Sequence, residues 1–409
     1  MLVSDVQHIE QQTFKCTYIT LEGQTCTVDI KFHISEFPND LKMVAFLCGE
    51  LTDSATYFCS FANVFSKDAT NLNGQFGKEK DKKWHPWNYL ERVQVAKSVE
   101  TFKQTVAKQN IAESTKRSKV TNFIAGKRSR QEFKPLLGPM VDRIHIDPLH
   151  LKNNACALAH RLLLQEVLLI SQLPSAMKSF LQVPTPGTKC NLRRLANKII
   201  RWFNENRDSK FDYRFTGKVS RCFLQNFMFL IAAMEPFLKD KTKALFTFHV
   251  LAYLCLTLRD CVSVLNRIDV TDSQLDDLEK NCRTYFVLHY LYFDHHPPTA
   301  WTLGNIVPEH ARDMKVKYAK GLGLNSMEGR ESKHTSISRY SKNTNFKARW
   351  EQIFQHDYVL LVWLSKKGYN FEKPASECCS RYMYIPKRAT EDSKFCYCGC
   401  KKQVQSAIY

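Results

Sequence analysis

Apolar and polar residues alternate strictly from Cys26 to Ile34 near the start of the chain. This period of two predicts a half-buried β-strand. The segment from Phe14 to Leu21 is rich in Thr, Tyr and Ile, and a short polar turn around Gly23 separates it from the first pattern. The two segments together predict a β-hairpin.

The apolar spacing changes to a helical one directly after Asp40. A carboxylate is favoured at the position that precedes the first turn of a helix, because it accepts hydrogen bonds from unpaired backbone N–H groups. The pattern therefore predicts that Asp40 lies between the end of a strand and the start of a helix.

Helical periodicity dominates the middle of the chain and stops near His295. Two more helices are predicted after Gly321. The longest apolar run, from Ala244 to Leu258, is shorter than a bilayer span and predicts a buried core helix. The other predicted helices in the middle of the chain cover residues 151–172, 192–206, 219–238 and 274–292.

The net charge of +19 favours a polyanionic partner, with nucleic acid ahead of a membrane, although a basic surface without a specific partner is an equal alternative. Nothing in the composition calls for a small-molecule substrate. Residues 101–134 hold nine Lys or Arg and two Glu. Within them, Lys127, Arg128 and Arg130 form a run that is usually a solvated loop, with a dedicated DNA contact or an import signal as the alternatives.

The fifteen cysteines are an odd number, and the N-terminal residues lack the basic and apolar pattern of a secretory signal. We therefore expect reduced thiols in an intracellular protein rather than a disulfide framework. Five cysteines cluster in the C-terminal tail, where a Zn²⁺ site and plain reduced thiols are both open interpretations. They are Cys378, Cys379, Cys396, Cys398 and Cys400.

Four carboxylates stand beside predicted turns or element ends: Asp40, Asp147, Glu328 and Glu331. Carboxylate oxygens are the hard ligands that Mg²⁺ prefers. Glu328 and Glu331 are three positions apart and share one face if a helix begins there. Taken singly, such an acid is more often a helix cap or a surface residue than a metal ligand.

Short segments in the same order along the chain carry a resemblance to a known family. They are DLKMV at 40–44 with YFC at 57–59, IDPLH at 146–150, and EGRES at 328–332 with the segment that follows to about 365. Together they resemble the catalytic core of the V(D)J recombination-activating endonuclease and the Transib-type transposases. These are DDE recombinases, named for three metal-binding carboxylates.

The resemblance implies an incomplete α/β fold of the ribonuclease-H type, split by a large and mostly helical insertion and followed by a Cys-rich tail. The implied segments are a partial core (1–50), a basic insertion similar to a zinc site (51–146), a helical insertion (147–327), the C-terminal helices of the core (328–370) and the tail (371–409).

The resemblance also implies metal-dependent cleavage and joining of DNA phosphodiesters. Asp40 and Glu331 match two of the catalytic carboxylates, which would hold Mg²⁺ or Mn²⁺ ions on either side of the scissile phosphate. Asp147, His150 and Glu328 are expected beside this site, and Arg330 and Lys333 are expected to contact DNA. The implied partner is double-stranded DNA, and no membrane partner is implied. The implied assembly is a homodimer, and the implied location is the nucleus.

Two departures from the family pattern change these expectations. The position of the first catalytic aspartate finds no match upstream of Asp40, so we expect the 409-residue polypeptide to be inactive, and a non-catalytic DNA-binding or protein-interaction remnant is the alternative. The zinc half-site keeps Cys59 but has Ala62 in the second place, and Asn305 stands where a histidine is expected. His296 and His310 are the nearby substitutes for a Zn²⁺ site.

Overall fold

The computed structural model describes residues 2–20, 22–37, 40–52, 54–171, 215–234, 242–294, 296–342 and 349–366, with the single positions 238 and 347. Helices dominate these residues, and the sheet found among them has two strands. The predicted helix at 192–206 and the five tail cysteines lie outside the described residues.

Eleven helices and two strands are named here in chain order. They are α1 (Leu2–Gln11), β1 (Phe14–Ile19), β2 (Thr25–Ile30), α2 (Leu41–Cys48), α3 (Tyr89–Ala107), α4 (Glu113–Gly126), α5 (Pro148–Ser171), α6 (Gly217–Met234), α7 (Thr242–Leu265), α8 (Asp272–Tyr292), α9 (Pro298–Tyr318), α10 (Glu328–Lys342) and α11 (Arg349–Lys366). The chain divides into two units, residues 1–147 with 295–313, and residues 148–294 with 314–409.

The predicted hairpin is present in the first unit. Strands β1 and β2 pair in antiparallel register, with Phe14 opposite Ile30 and Ile19 opposite Thr25. The strand is less buried than its alternation predicts, because Cys26 and Ile30 are only half-buried and Val28 is exposed. The apolar face of the hairpin is therefore not part of the core.

Helix α2 follows the hairpin and begins as the pattern predicts. Asp40 is its N-cap, and the helix ends at Gly49, whose φ of 71° is left-handed. A side chain at Gly49 would also place its Cβ 2.7 Å from the carbonyl oxygen of Phe133. Both observations explain why glycine occupies the end of this helix.

The basic segment of the first unit is helical, which the sequence reading did not foresee. Helix α3 begins with a capping box in which Asn88 and Glu91 bond each other's backbone N–H groups. Helices α3 and α4 pack through Val99, Val120 and Ile124. Four of the nine basic side chains of residues 101–134 therefore lie on this helical pair, and the other five lie in the segments beside it.

An aromatic core lies elsewhere in the first unit, around Trp301 of α9. The Trp301 ring is fully buried and meets Phe58, Phe76 and Trp84 edge-on, at centroid distances of 5.7, 6.5 and 5.3 Å. The prediction that helical structure stops near His295 is wrong, because α9 begins three residues later. Proline at its first position needs no N–H partner there, and this helix also accommodates Pro308 in its interior.

The second unit is built from the predicted helices, and each described one begins within two or three residues of its expected start. Its central helix is α7, whose 24 residues make it longer than its apolar run alone suggests. By length and composition this helix would be able to cross a membrane, but 72% of the relevant window is buried inside the protein. Such burial is typical of a core helix.

Buried thiols line the interior of this helical unit. Cys156, Cys255, Cys261 and Cys282 have no exposed surface, and burial raises the pKa of Cys156 to about 12. A thiol with so high a pKa stays protonated and unreactive at neutral pH. These cysteines act as small apolar core residues.

Candidate functional site

The first turn of α10 carries both glutamates that the sequence places in the site. Glu328 accepts hydrogen bonds from the guanidinium of Arg221 on α6 and from the ammonium of Lys152 on α5, the latter at 3.4 Å. Burial alone would raise the pKa of Glu328, but these two cations lower it below its ordinary value. Glu328 is thus a neutralised carboxylate that fixes the start of α10 against two other helices.

Glu331 lies three residues further along α10 and has a different neighbour. Its side chain is 56% exposed, and its Oε1 lies 4.0 Å from Nε2 of His150. His150 belongs to the first turn of α5, 181 residues earlier in the chain. The structure therefore brings together two residues that the sequence reading assigned to one site.

Glu331 and His150 provide two types of donor atom for a metal ion. A carboxylate oxygen and an imidazole nitrogen are both common ligands of divalent metals. Glu331 is also favourably placed at the positive end of the helix dipole of α10. The exposed Glu331 carboxylate is accessible to a metal ion, whereas Glu328 is already paired with two cations.

Asp40 belongs to the first unit, where its carboxylate has a local structural task. Its Oδ1 accepts hydrogen bonds from the backbone N–H groups of Lys42, at 2.9 Å, and Met43, at 3.0 Å. Because both bonds use one oxygen, the capping role does not by itself use the second oxygen of the carboxylate. Asp147, the other predicted acid of this unit, is almost fully buried and directly precedes α5.

The predicted DNA-contacting residues fall into two groups. Lys127, Arg128 and Arg330 are exposed, so their charges can reach a phosphate. Lys333 is half-buried and forms an ion pair with Asp357 of α11. Arg130 is 1% exposed, so the prediction that it contacts DNA is wrong.

Arg130 is instead part of a buried ionic network. Its Nε lies 3.1 Å from Oε2 of Glu50, and the other oxygen of Glu50 bonds Arg92 of α3. The Glu50 side chain has no exposed surface and also accepts a hydrogen bond from the Ser60 hydroxyl at 2.6 Å. The network fixes the segment after α4 against α3, and this requirement explains the burial of Arg130.

The residues suggested for a zinc site are not arranged as a metal site in the part of the chain that the structure describes. Burial raises the pKa of the Cys59 thiol to about 12, and its sulfur accepts a hydrogen bond from the Phe61 N–H. The Nδ1 of His310 accepts a hydrogen bond from the Ile146 N–H, and its ring packs on Phe61. Within the residues that the structure describes, no three His, Cys, Asp or Glu side chains, those of Cys59, His296 and His310 included, are arranged to hold a metal ion.

Several charged residues that form buried or partly buried ion pairs were not singled out from the sequence. Lys152 and Arg221 hold Glu328, and His145 donates to or accepts from Glu36 and Asp313, the latter at 2.7 Å. Each of these partners lies more than 100 residues from the residue it contacts, and no local pattern indicates them.

No protein-family model matches this chain, and no curated protein matches it.

Proposed function

We propose that this chain is a transposon-derived protein of the DDE recombinase type that binds duplex DNA. Its ancestral chemistry would be metal-dependent cleavage and joining of phosphodiesters. We further propose that residues 1–50 and 328–370 derive from an incomplete ribonuclease-H-like core. The 409-residue polypeptide is expected to bind DNA without cutting it.

The observation that carries this proposal is the pairing of Glu331 with His150. Both residues come from segments that resemble the same family, and their side chains lie 4.0 Å apart although they are distant in sequence. The neighbouring Glu328 is neutralised by Arg221 and Lys152, which leaves Glu331 as the exposed carboxylate of that turn. A position in the first turn of α10 therefore has the accessibility that a metal-binding acid needs.

The donor set of a two-metal site is not complete in the described residues, which contain no group of three candidate ligands. We therefore derive no step through a metal. The chain's own contribution at this point is a positioned carboxylate and imidazole. Exposed cations such as Lys127 and Arg128 would hold a DNA backbone.

A plasmid-nicking assay tests the catalytic part of the proposal. Purified protein is incubated with supercoiled plasmid in Mn²⁺, beside a variant with Asp40→Ala and Glu331→Ala. We expect DNA binding by both and nicking by neither, since two carboxylates cannot clamp two ions around one phosphate. Nicking by the parent that disappears in the variant would contradict the expected inactivity.

The second candidate function is a non-catalytic DNA-binding or protein-interaction remnant, which the net charge of +19 and the exposed Lys127 and Arg128 support without any metal ligand. Calorimetric titration with Mn²⁺ separates the two. Binding that is lost in Glu331→Gln supports a retained metal ligand. Equal binding, or none, in the parent and in Glu331→Gln supports the remnant.

A further inference from the structure

Helix α11 presents a row of exposed aromatic side chains. Trp350, Phe354 and Tyr358 follow each other at intervals of four residues and therefore share one face. Their exposed fractions are 46%, 58% and 68%. Large apolar side chains exposed singly are common, but a continuous row of them indicates a surface that binds something.

The spacing of the first two rings suits a flat ligand. The centroids of Trp350 and Phe354 are 6.3 Å apart, and the ring planes differ by 29°. Base–aromatic stacking needs one ring face per base, so neighbouring exposed rings can take successive bases of a strand.

The charge around the row suits a polyanion. Residues 330–349 contain six Lys or Arg and a single carboxylate, Glu331, and α11 itself adds Glu351 and Asp357, the latter paired with Lys333. The Arg349 guanidinium lies 5.8 Å from the centre of the Trp350 ring. Arg339 and Lys342 at the end of α10 are exposed. Aromatic rings interleaved with cations are the surface that single-stranded nucleic acids bind.

We propose that Trp350, Phe354 and Tyr358 form a stacking surface for an unpaired DNA strand, with the neighbouring Lys and Arg residues holding its phosphates. An unpaired strand is the required partner because the base faces are hidden inside a duplex. The proposal rests on the proposed function in so far as both place DNA on this protein. It adds a second surface with a different preference.

A second copy of this chain is the competing occupant, because two aromatic rows could pack against each other. The charge argues against it, since such a contact would bring two basic segments together. Self-association is therefore an outcome of the test that would overturn the proposal.

The test uses the full chain and two fluorescent probes, an oligo(dT) strand and a short duplex, with anisotropy as the measurement. The variants are Trp350→Ala, Phe354→Ala and the double substitution. All remove exposed side chains, so folding is expected to persist and is checked by circular dichroism. The conservative Trp350→Phe keeps a ring, and Phe46→Ala is the matched control at another exposed aromatic position, on α2.

Each ring removed should weaken oligo(dT) binding by roughly fivefold or more, and the double variant by about 25-fold or more, because stacking on an aromatic side chain is worth about 1–3 kcal/mol per base. Trp350→Phe should recover most of the affinity, and duplex binding should change little. Equal oligo(dT) binding by parent and double variant would overturn the proposal, as would a change in sedimentation that shows the row to be a protein interface. If Arg128→Gln loses duplex binding but keeps oligo(dT) binding, the result supports two separate surfaces, one for the duplex and one for the unpaired strand. If the parent protein binds oligo(dT) but not the duplex, the result counts against the proposed function and not against this surface.

Discussion

An Arg→Gln substitution at position 130 and the same substitution at position 128, both in the segment that follows α4, should affect two different properties of the protein. Arg130 is buried and its Nε lies 3.1 Å from Glu50. It also donates a hydrogen bond to the backbone oxygen of Phe58. Arg128 is exposed. We expect Arg130→Gln to destabilise the protein and Arg128→Gln to weaken DNA binding.

The magnitude for Arg130→Gln follows from the buried partner that it leaves behind. Removing one member of a buried ion pair typically lowers the free energy of unfolding by about 3–5 kcal/mol. Arg92 stays beside Glu50, so we expect the lower end of that range, about 3 kcal/mol. Arg128→Gln should change the free energy of unfolding by no more than about 0.5 kcal/mol, as is usual for exposed positions.

Urea unfolding followed by far-ultraviolet circular dichroism measures the difference. With a slope of about 2–3 kcal/mol per molar urea, the midpoint should fall by about 1 M in Arg130→Gln. DNA affinity, corrected for the folded fraction, should be unchanged in Arg130→Gln and lower in Arg128→Gln. A midpoint within about 0.3 M of the parent for Arg130→Gln, which corresponds to less than 1 kcal/mol, would refute the reasoning from burial.

Three further predictions test the helix ends and the site. Gly49→Ala should destabilise by more than about 1 kcal/mol because φ there is left-handed, whereas Gly126→Ala, with open space around it, should not; thermal unfolding compares them. Thr271→Ala removes the N-cap of α8 and should cost about 1 kcal/mol in urea unfolding, whereas Thr284→Ala inside the same helix should cost nothing. Glu328 has a lowered pKa in the folded protein, so its stabilising effect is present above its ordinary pKa of 4.5 and is lost as the pH falls through the lower, folded value. The difference in stability between the parent and Glu328→Gln should therefore shrink in acid, and a difference that grows there would contradict the ion pairs with the two cations.

Local features of the fold were accessible from the sequence, because they depend on neighbouring residues. The alternation before Asp40 predicted the hairpin, and the Asp40 N-cap was predicted from residue type and position. The apolar periodicity predicted the helices of the second unit. Helix α3 was missed because its basic composition was given more weight than the capping residues Asn88 and Glu91.

Features that depend on distant residues were not accessible. The burial of Arg130 requires Glu50, which is 80 residues earlier, and no spacing rule connects them. The neutralisation of Glu328 likewise requires Lys152 and Arg221. The pairing of Glu331 with His150 was anticipated only in that both residues belong to family-like segments.

The salt dependence of duplex-DNA binding tests the central claim most directly. Affinity for a short labelled duplex is measured by anisotropy between about 50 and 200 mM salt, where neutralising six or more phosphates should weaken binding by roughly 10³-fold or more through counterion release. We expect that steep loss, with little dependence on base sequence, and a shallower slope for the combined Lys127→Gln and Arg128→Gln variant. Binding that does not change with salt, or no binding at about 50 mM, would contradict the assignment of this protein to DNA.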